Sequence, residues 1–384
     1  MQTDRRLFLL GSLAALTRTS AACPGWARPV EPTGRTLVLL QLTGGHDGLS
    51  MLVPYADDGY ASARKATRLG ADEVLRLDER VGLHPALRGL RALHEEGRLA
   101  LVEGIGYPEP DRSHFRSLDI WHAADPRGRG MPAGWIGRCV ERLGDAHPHA
   151  VVHFGPRPPF ALHAARRAPV CLTPLVLRAA TLEEQDAAAT DESAAVARLR
   201  ARMRTTEDAL GGIRAALDGA EPQPYPASGL ATRLRQAAAL IHAGLGVRVV
   251  SLELDGFDTH RDQRGRHDRL MEELDRALTA FAADLARSEA GRATLVLGYS
   301  EFGRRVAEND SGGTDHGAAG LAFALGSSVR GGLHGAPPDL ARLVDGDLAF
   351  TTDFRAFYAP AIEHVFGLDA AEILGRDFGG LDYV

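Results

Sequence analysis

The sequence predicts an α/β fold built on a mostly parallel central sheet. Four near-continuous apolar runs have the length of a strand, as expected for strands that are buried on both faces. Amphipathic helical patterns separate them along the chain, which is the alternation produced when helices connect parallel strands. The four runs are 35–42, 99–106, 247–254 and 294–299.

Helical patterns fill the intervals between these runs and follow the last one. Apolar residues recur there at helical spacing, so one face of each helix can pack on the sheet. A final helix, ending near Phe366, is predicted to start at Thr352 or Asp353, either of which can cap it. The three internal patterns are 86–97, 228–245 and 268–285.

Residues from about 123 to 230 carry a weaker signal. Loops that contain proline and glycine alternate there with short helix and strand patterns, and the alanine-rich stretch 179–217 is predicted to form one or two helices. We interpret the region as a helical and loop insertion over the end of the sheet where ligands bind. Residues 35–384 then form a single α/β domain.

The N-terminus is predicted to be a twin-arginine export signal. Arg5 and Arg6 precede a modest apolar segment, 10–16, which is too short to span a bilayer. Residues 1–27 are assigned to the signal, so the export machinery is an expected partner and the mature protein is expected in the periplasm or outside the cell, without a membrane span. The residues before Cys23 make a poor lipid-attachment motif. The alternative is an ordinary N-terminal helix with two chance arginines.

Composition argues against one class of partner. The 384 residues carry a formal net charge of -6, and no basic tract with interleaved aromatic residues is present. Nucleic acid is therefore not an expected partner.

Polar motifs follow the apolar runs, where the strands would end. GGHDG comes after the first run, GFDTH after the third, and SEFGRR with GGTDHG after the fourth. Ligands of open α/β sheets bind beyond the carboxyl ends of the strands, so these side chains are expected to share one pocket that can hold a divalent cation. The candidate ligands are Asp47, Asp258, His260, Glu301, Asp315 and His316.

Two candidates also have a purely structural interpretation. Asp47 can cap the segment after the first strand, and Ser113 can cap a helix from His114 to Trp121. The functional interpretation makes Ser113 a metal-activated nucleophile and Arg112 or His114 an anion-binding group. For Ser113, local evidence favours the cap.

The order of the motifs resembles a known bacterial family. GGHDG, RSHF, GFDTH, SEFGRR and GGTDHG follow one another between residues 44 and 317, and the resemblance they carry covers nearly the whole chain, from Arg5 to about Gly367. This order is similar to that of the DUF1501 family of twin-arginine-exported proteins, whose core is similar to alkaline phosphatases and sulfatases. The resemblance implies a three-layer αβα sandwich with metal ions at the carboxyl end of the central sheet.

The resemblance also implies a first metal site and a catalytic serine. Asp258, His260 and His316 resemble the ligands of a first metal, a three-ligand set that leaves room for water. Ser113 is the positional candidate for the nucleophile.

A second metal site is implied less completely. Asp47 matches an aspartate that holds a second metal. Glu301 and Phe302 stand in the place of an Asp-His pair, and phenylalanine cannot ligate. The remaining oxygen donors are better suited to Mg²⁺ or Ca²⁺.

These implications lead to an expected function. A divalent ion, Zn²⁺, Mg²⁺, Mn²⁺ or Ca²⁺, would support hydrolysis of phosphate or sulfate esters, with Arg304, Arg305 or Arg112 neutralising the ester oxygens. The alternative is a non-catalytic relative that binds an anionic ligand or a cell-envelope partner. Arg304 and Arg305 could instead form surface ion pairs with Glu308 or Asp310.

Overall fold

The computed structural model describes residues 34–144, 149–165, 168–173 and 209–384. The predicted signal peptide, 1–27, and the predicted helical stretch 179–217 up to residue 208 lie outside the described residues. Residues 209–218 are helical. Among the described helices, none is both long and apolar enough to cross a lipid bilayer.

The strands include all four predicted from apolar runs, each within two residues of its expected start. They are β1 Thr36–Thr43, β2 Leu52–Val53, β3 Leu75–Arg76, β4 Gly82–Leu83, β5 Leu99–Gly106, β6 Val151–His153, β7 Val170–Cys171, β8 Val249–Asp255, β9 Thr294–Tyr299, β10 Arg304–Glu308, β11 Thr314–His316, β12 Gly320–Gly326, β13 Gly332–His334, β14 Leu343–Val344, β15 Asp347–Leu348 and β16 Thr352–Asp353.

The helices include those predicted from the amphipathic patterns. Asp353, rather than Thr352, caps the late helix, since its side chain accepts a hydrogen bond from Arg355 N. The helices are Gly48–Met51, Asp58–Ala63, Arg88–Glu95, His114–Ala123, Trp135–Arg142, Gly229–His242, Gln263–Leu285, Glu289–Arg292, Phe354–Ala361 and Ala370–Leu374, with 3-10 turns at Gly128–Gly130 and Phe160–Leu162 and a π-helical turn at Ile362–Phe366.

Nine strands form the central sheet. Its order is β13-β5-β12-β9-β1-β8-β6-β7, and β16 pairs with β5. Every pairing is parallel except those of β12, which runs antiparallel to both β5 and β9. The predicted mostly parallel sheet is therefore confirmed, with β12 as one reversed strand. β6 and β7, from the region assigned to an insertion, extend this sheet.

Apolar side chains of β1 alternate between two hydrophobic cores. Val38 and Leu40 face one core, which also contains residues of the helices 88–95, 229–242 and 263–285. Leu37 and Leu39 face the other, together with residues of helices on the opposite side of the sheet. Successive strand residues point to opposite faces, so a fully apolar strand requires cover on both. The three-layer αβα sandwich is confirmed.

Candidate functional site

The candidate site lies at the carboxyl edge of three neighbouring parallel strands. β9, β1 and β8 are adjacent, so the loops that follow them leave the sheet at the same edge. Gly44, after β1, has a φ of +117°, and an added Cβ would lie 2.4 Å from Asp258 N in the loop after β8. Glycine is thus required for this close approach. Gly44 N also donates to Glu301 Oε1 at 2.9 Å, so the loop after β1 is hydrogen-bonded to the loop after β9.

Three imidazole nitrogens surround one carboxylate oxygen. The Nε2 atoms of His260 and His316 lie 3.0 and 3.2 Å from Asp258 Oδ1. His114 Nε2 lies 3.7 Å from the same oxygen. His114, Asp258 and His316 offer ligand atoms that all lie within 4.8 Å of one another. We call these four residues the three-histidine cluster.

Each imidazole of the cluster uses its Nδ1 atom to contact an acceptor outside the cluster. His114 Nδ1 lies 2.7 Å from Glu301 Oε1, and His260 Nδ1 lies 3.0 Å from Asp315 Oδ1. His316 Nδ1 lies 2.8 Å from the carbonyl oxygen of Arg112. Carboxylates and carbonyls accept hydrogen bonds, so these contacts favour the tautomer that carries the hydrogen on Nδ1 in each ring. In that tautomer the Nε2 atoms present lone pairs, as metal-ligating histidines do.

The lone pairs face one another at short range. His260 Nε2 and His316 Nε2 are 3.0 Å apart. Two unprotonated nitrogens at this distance repel unless a proton or a metal ion lies between or beside them. The donor set of the cluster, nitrogen with one carboxylate oxygen, suits Zn²⁺ or another first-row divalent ion.

Arg304 contacts Asp258 from the buried side of the site. Its side chain is fully buried, and its NH2 atom donates to Asp258 Oδ1 at 2.7 Å and to the Phe257 carbonyl oxygen at 3.0 Å. It also donates to the carbonyl oxygens of Gly44, Gly45 and Thr314. The alternative of a surface ion pair is therefore wrong for Arg304, because this guanidinium joins three loops inside the protein.

The electrostatics keep the acids of the site charged. Burial raises the pKa of Asp258, the hydrogen bond and the positive charge of Arg304 lower it, and the resulting pKa lies below its usual value. Burial likewise raises the pKa of Glu301, and the hydrogen bond with His114 brings it below its usual value. That hydrogen bond raises the pKa of His114, whereas burial lowers the pKa of His316.

Asp47 lies in a separate buried network. Arg64 NH2 donates to its Oδ1 at 2.9 Å, and Arg64 NH1, Ser50 Oγ and Gln263 Nε2 all donate to its Oδ2. Both Asp47 and Arg64 are buried. Burial raises the pKa of Asp47, but the Arg64 guanidinium brings it far below its usual range. Arg64 therefore supplies the positive charge that Asp47 was predicted to obtain from a second metal.

Ser113 and Arg112 lie beside the cluster. Ser113 occupies the N-cap position of the helix 114–123, but its side chain makes no capping hydrogen bond. Ser113 is exposed and directly precedes His114 in the chain. The Arg112 guanidinium donates to Asp347 Oδ2 from Nε at 2.8 Å and from NH2, so its charge is partly neutralised.

His114 was not among the predicted metal ligands, although it completes the cluster. Sequence reasoning considered it only as an anion-binding group, because it stands alone in the RSHF motif without a second ligand at coordinating spacing. Its partners are distant in sequence: Glu301 lies 187 residues away. Phe302 packs against it with ring centroids 4.9 Å apart, and against His316 at 4.7 Å.

Fold and site together define an α/β sandwich protein with a candidate metal cluster at the carboxyl edge of its sheet. The family model described as a protein of unknown function (DUF1501) matches residues 104–381, which is more than half of the chain. The chain belongs to this family. A comparison with curated proteins gives no match.

Solved structures of several bacterial proteins show a distant overall similarity to this chain. The lipoteichoic acid synthase LtaP from Listeria monocytogenes is 10% identical with a TM-score of 0.35; the match covers 76% of this chain and 65% of that one. The C-terminal periplasmic domain of EcEptC from Escherichia coli is 11% identical with a TM-score of 0.39, covering 92% and 85%. The PsFucS1 sulfatase from Pseudoalteromonas sp. is 12% identical with a TM-score of 0.40, covering 91% and 70%.

Proposed function

We propose that this protein is a metal-dependent hydrolase that acts on phosphate or sulfate esters after export from the cytoplasm. The observation that supports it most is the convergence of three imidazole Nε2 atoms on Asp258 Oδ1, with every Nδ1 already held by an acceptor. Such an arrangement is costly without a cation and favourable with one.

The residues that would hold the ion are His114, Asp258 and His316, with His260 as a fourth donor. A ligand set rich in imidazole favours Zn²⁺ or a similar first-row ion over Mg²⁺ and Ca²⁺, which prefer oxygen. When bound, such an ion lowers the pKa of a coordinated water or hydroxyl and polarises an ester oxygen. Glu301, Asp315 and the Arg112 carbonyl would fix the orientation of the rings.

Ser113 is the proposed nucleophile. It directly precedes His114, it is exposed, and its hydroxyl is not used to cap the helix. An anionic ester would approach this edge of the sheet past the Arg112 guanidinium, which would bind its oxygens once the pairing with Asp347 loosens.

A second candidate function is binding of an anionic ligand without turnover. Phe302 favours it, because this buried ring packs against His114 and His316 where a further ligand to a second ion could otherwise stand. Two-metal sites stabilise both the attacking and the leaving oxygen, and a single ion supplies less of this stabilisation.

Elemental analysis with an ester panel tests both functions. The mature protein is expected to retain about one divalent ion and to hydrolyse a generic phosphate or sulfate ester. Asp258→Ala and His316→Ala should lose both the bound ion and the hydrolysis. His334→Ala, in β13 away from the cluster, should keep the ion and the hydrolysis. Bound metal without turnover of any ester, with tight binding of an anion, would establish the second function. A protein that retains no metal after reconstitution would refute the metal-dependent hydrolase.

Export is a separate part of the proposal. Replacement of Arg5 and Arg6 by lysine should leave the precursor in the cytoplasm, as expected when the twin-arginine machinery reads the pair. Unchanged export of this double variant would contradict the assignment and leave the metal site unaffected.

A further inference from the structure

A second group of polar side chains lies at the opposite edge of the sheet. His242 ends the helix 229–242, Asp284 stands near the end of 263–285, and Ser288 begins the short helix before β9. His242 Nδ1 lies 2.7 Å from Ser288 Oγ, and His242 Nε2 lies 3.2 Å from Asp284 Oδ1. The imidazole thus bridges a hydroxyl and a carboxylate.

The protons of this group are fixed by its partners. Asp284 accepts, so His242 Nε2 carries the hydrogen and Nδ1 is left with a lone pair. Ser288 Oγ accepts a hydrogen bond from Gly291 N at 2.9 Å, which leaves its own hydrogen to point at that lone pair. A serine, a histidine and an acid in these roles form the chain of contacts that activates a nucleophile.

Asp284 is supported as an orienting acid. It is 5% exposed, and Tyr225 OH donates to its Oδ2 at 2.9 Å. Arg287 NH1 donates to its Oδ1 at 3.1 Å. These contacts fix the carboxylate, and through it the His242 ring.

The group opens onto a cavity. His242, Asp284 and Ser288 all line a space of about 670 Å³ between the helices. Leu217 and Ala239 give it apolar surface, and Arg235 and Gln236 bring N–H donors to its wall. The volume suits a small organic molecule.

We propose that Ser288, His242 and Asp284 form a second catalytic centre that hydrolyses small carboxylic esters without a metal ion. Ser288 Oγ attacks the ester carbonyl carbon while its proton passes to His242 Nδ1. The tetrahedral intermediate collapses, the bond to the alcohol oxygen breaks, and the alcohol takes that proton. Water then attacks the acyl-serine, His242 accepts and returns a proton, and the carboxylic acid leaves. Arg235 or Gln236 would donate to the oxyanion.

The competing explanation is that Ser288 only caps its helix. Asparagine is as good an N-cap as serine but has no hydroxyl, so Ser288→Asn keeps the cap and removes the nucleophile. Ser228 provides a matched control, because it caps the helix 229–242 by accepting from Ala231 N at 3.1 Å and, within the described part of the chain, belongs to no such group.

Hydrolysis of p-nitrophenyl acetate by the full chain, with and without EDTA, tests the proposal. Wild type is expected to turn over the ester in EDTA and to be labelled at Ser288 by a fluorophosphonate. Ser288→Asn and His242→Ala should lower the rate at least 100-fold, whereas Ser228→Ala and His316→Ala should retain it. A rate in EDTA that Ser288→Asn does not change, or absent turnover and labelling in folded wild type, would overturn the second centre and leave the metal site unaffected.

Discussion

The Nε2 atoms of His260 and His316 lie 3.0 Å apart, and the Nδ1 atom of each ring contacts an acceptor elsewhere. Two lone pairs so close together need a positive charge near them. Asp258 Oδ1, which contacts both nitrogens, adds a negative charge to the same point. The proposed metal centre rests on these contacts between two imidazole nitrogens and one carboxylate oxygen.

Glu301→Gln should weaken metal binding without unfolding the protein. Glu301 Oε1 lies 2.7 Å from His114 Nδ1, and an amide is a poorer acceptor than a carboxylate, so it holds the ring less firmly. Loss of such an orienting partner typically costs about 10–100-fold in metal affinity. A competition titration with a chelator measures the change. Glu272→Gln, on an exposed helical surface, should bind metal as wild type does; equal affinities for the two variants would contradict the orienting role.

Arg304→Lys should destabilise the fold. A lysine cannot replace the five contacts of the guanidinium, so buried carbonyl oxygens of the loops lose their donors. Each unpaired buried group costs about 1–3 kcal/mol, and a total above about 3 kcal/mol is expected. Urea unfolding measures it. Arg305→Lys, at a half-exposed neighbour, should change stability by less than about 0.5 kcal/mol; comparable losses in both variants would count against the account.

Asp47→Asn should lower stability and leave metal content unchanged. The substitution breaks a buried ion pair with Arg64, which typically costs about 3–5 kcal/mol. The melting temperature and the metal content of the same preparation separate the two roles. Loss of a bound ion at unchanged stability would instead support the prediction that Asp47 is a metal ligand.

His46→Leu should reduce the acid sensitivity of folding. Burial lowers the pKa of His46 from 6.5 to about 4, and neither of its ring nitrogens has a hydrogen-bond partner among the described residues. The unfolded chain therefore binds a proton that the folded chain does not, so stability present above pH 6.5 is lost as the pH falls towards about 4. One such group contributes at most about 1.4 kcal/mol per pH unit.

Urea unfolding of metal-free protein between pH 7 and 4.5 measures that slope. His46→Leu should flatten it, with little loss at pH 7 because no hydrogen bond is removed. His334→Ala, which removes a partly exposed imidazole, is the control. An unchanged slope in the His46 variant would contradict the assigned pKa.

The sequence was sufficient for the sheet because its strands are apolar on both faces. Val38 and Leu39 face opposite cores, so no amphipathic alternation complicates the pattern. The antiparallel direction of β12 was not predicted, because the apolar run of this strand carries no information about its direction in the sheet. Its antiparallel pairing with β9 depends on the turn that β10 and β11 make between them.

The site was predicted only in part, because tertiary contacts determine which residues can act as metal ligands. Asp258 and His260 stand at a strand end, and their grouping could be expected from the motif. Asp47 had an equally good motif, yet Arg64, 17 residues later in a stretch without a clear pattern, neutralises it. His114 gave no signal beyond being a histidine near a helix start.

The central claim is tested most directly by X-ray absorption spectroscopy of the zinc-reconstituted protein. The account predicts a first coordination shell with two or three imidazole nitrogens at about 2.0–2.1 Å and a carboxylate oxygen, and loss of the imidazole signal in the triple variant His114→Ala, His260→Ala, His316→Ala. A shell of oxygen atoms alone, or an imidazole signal that the triple variant retains, would contradict it.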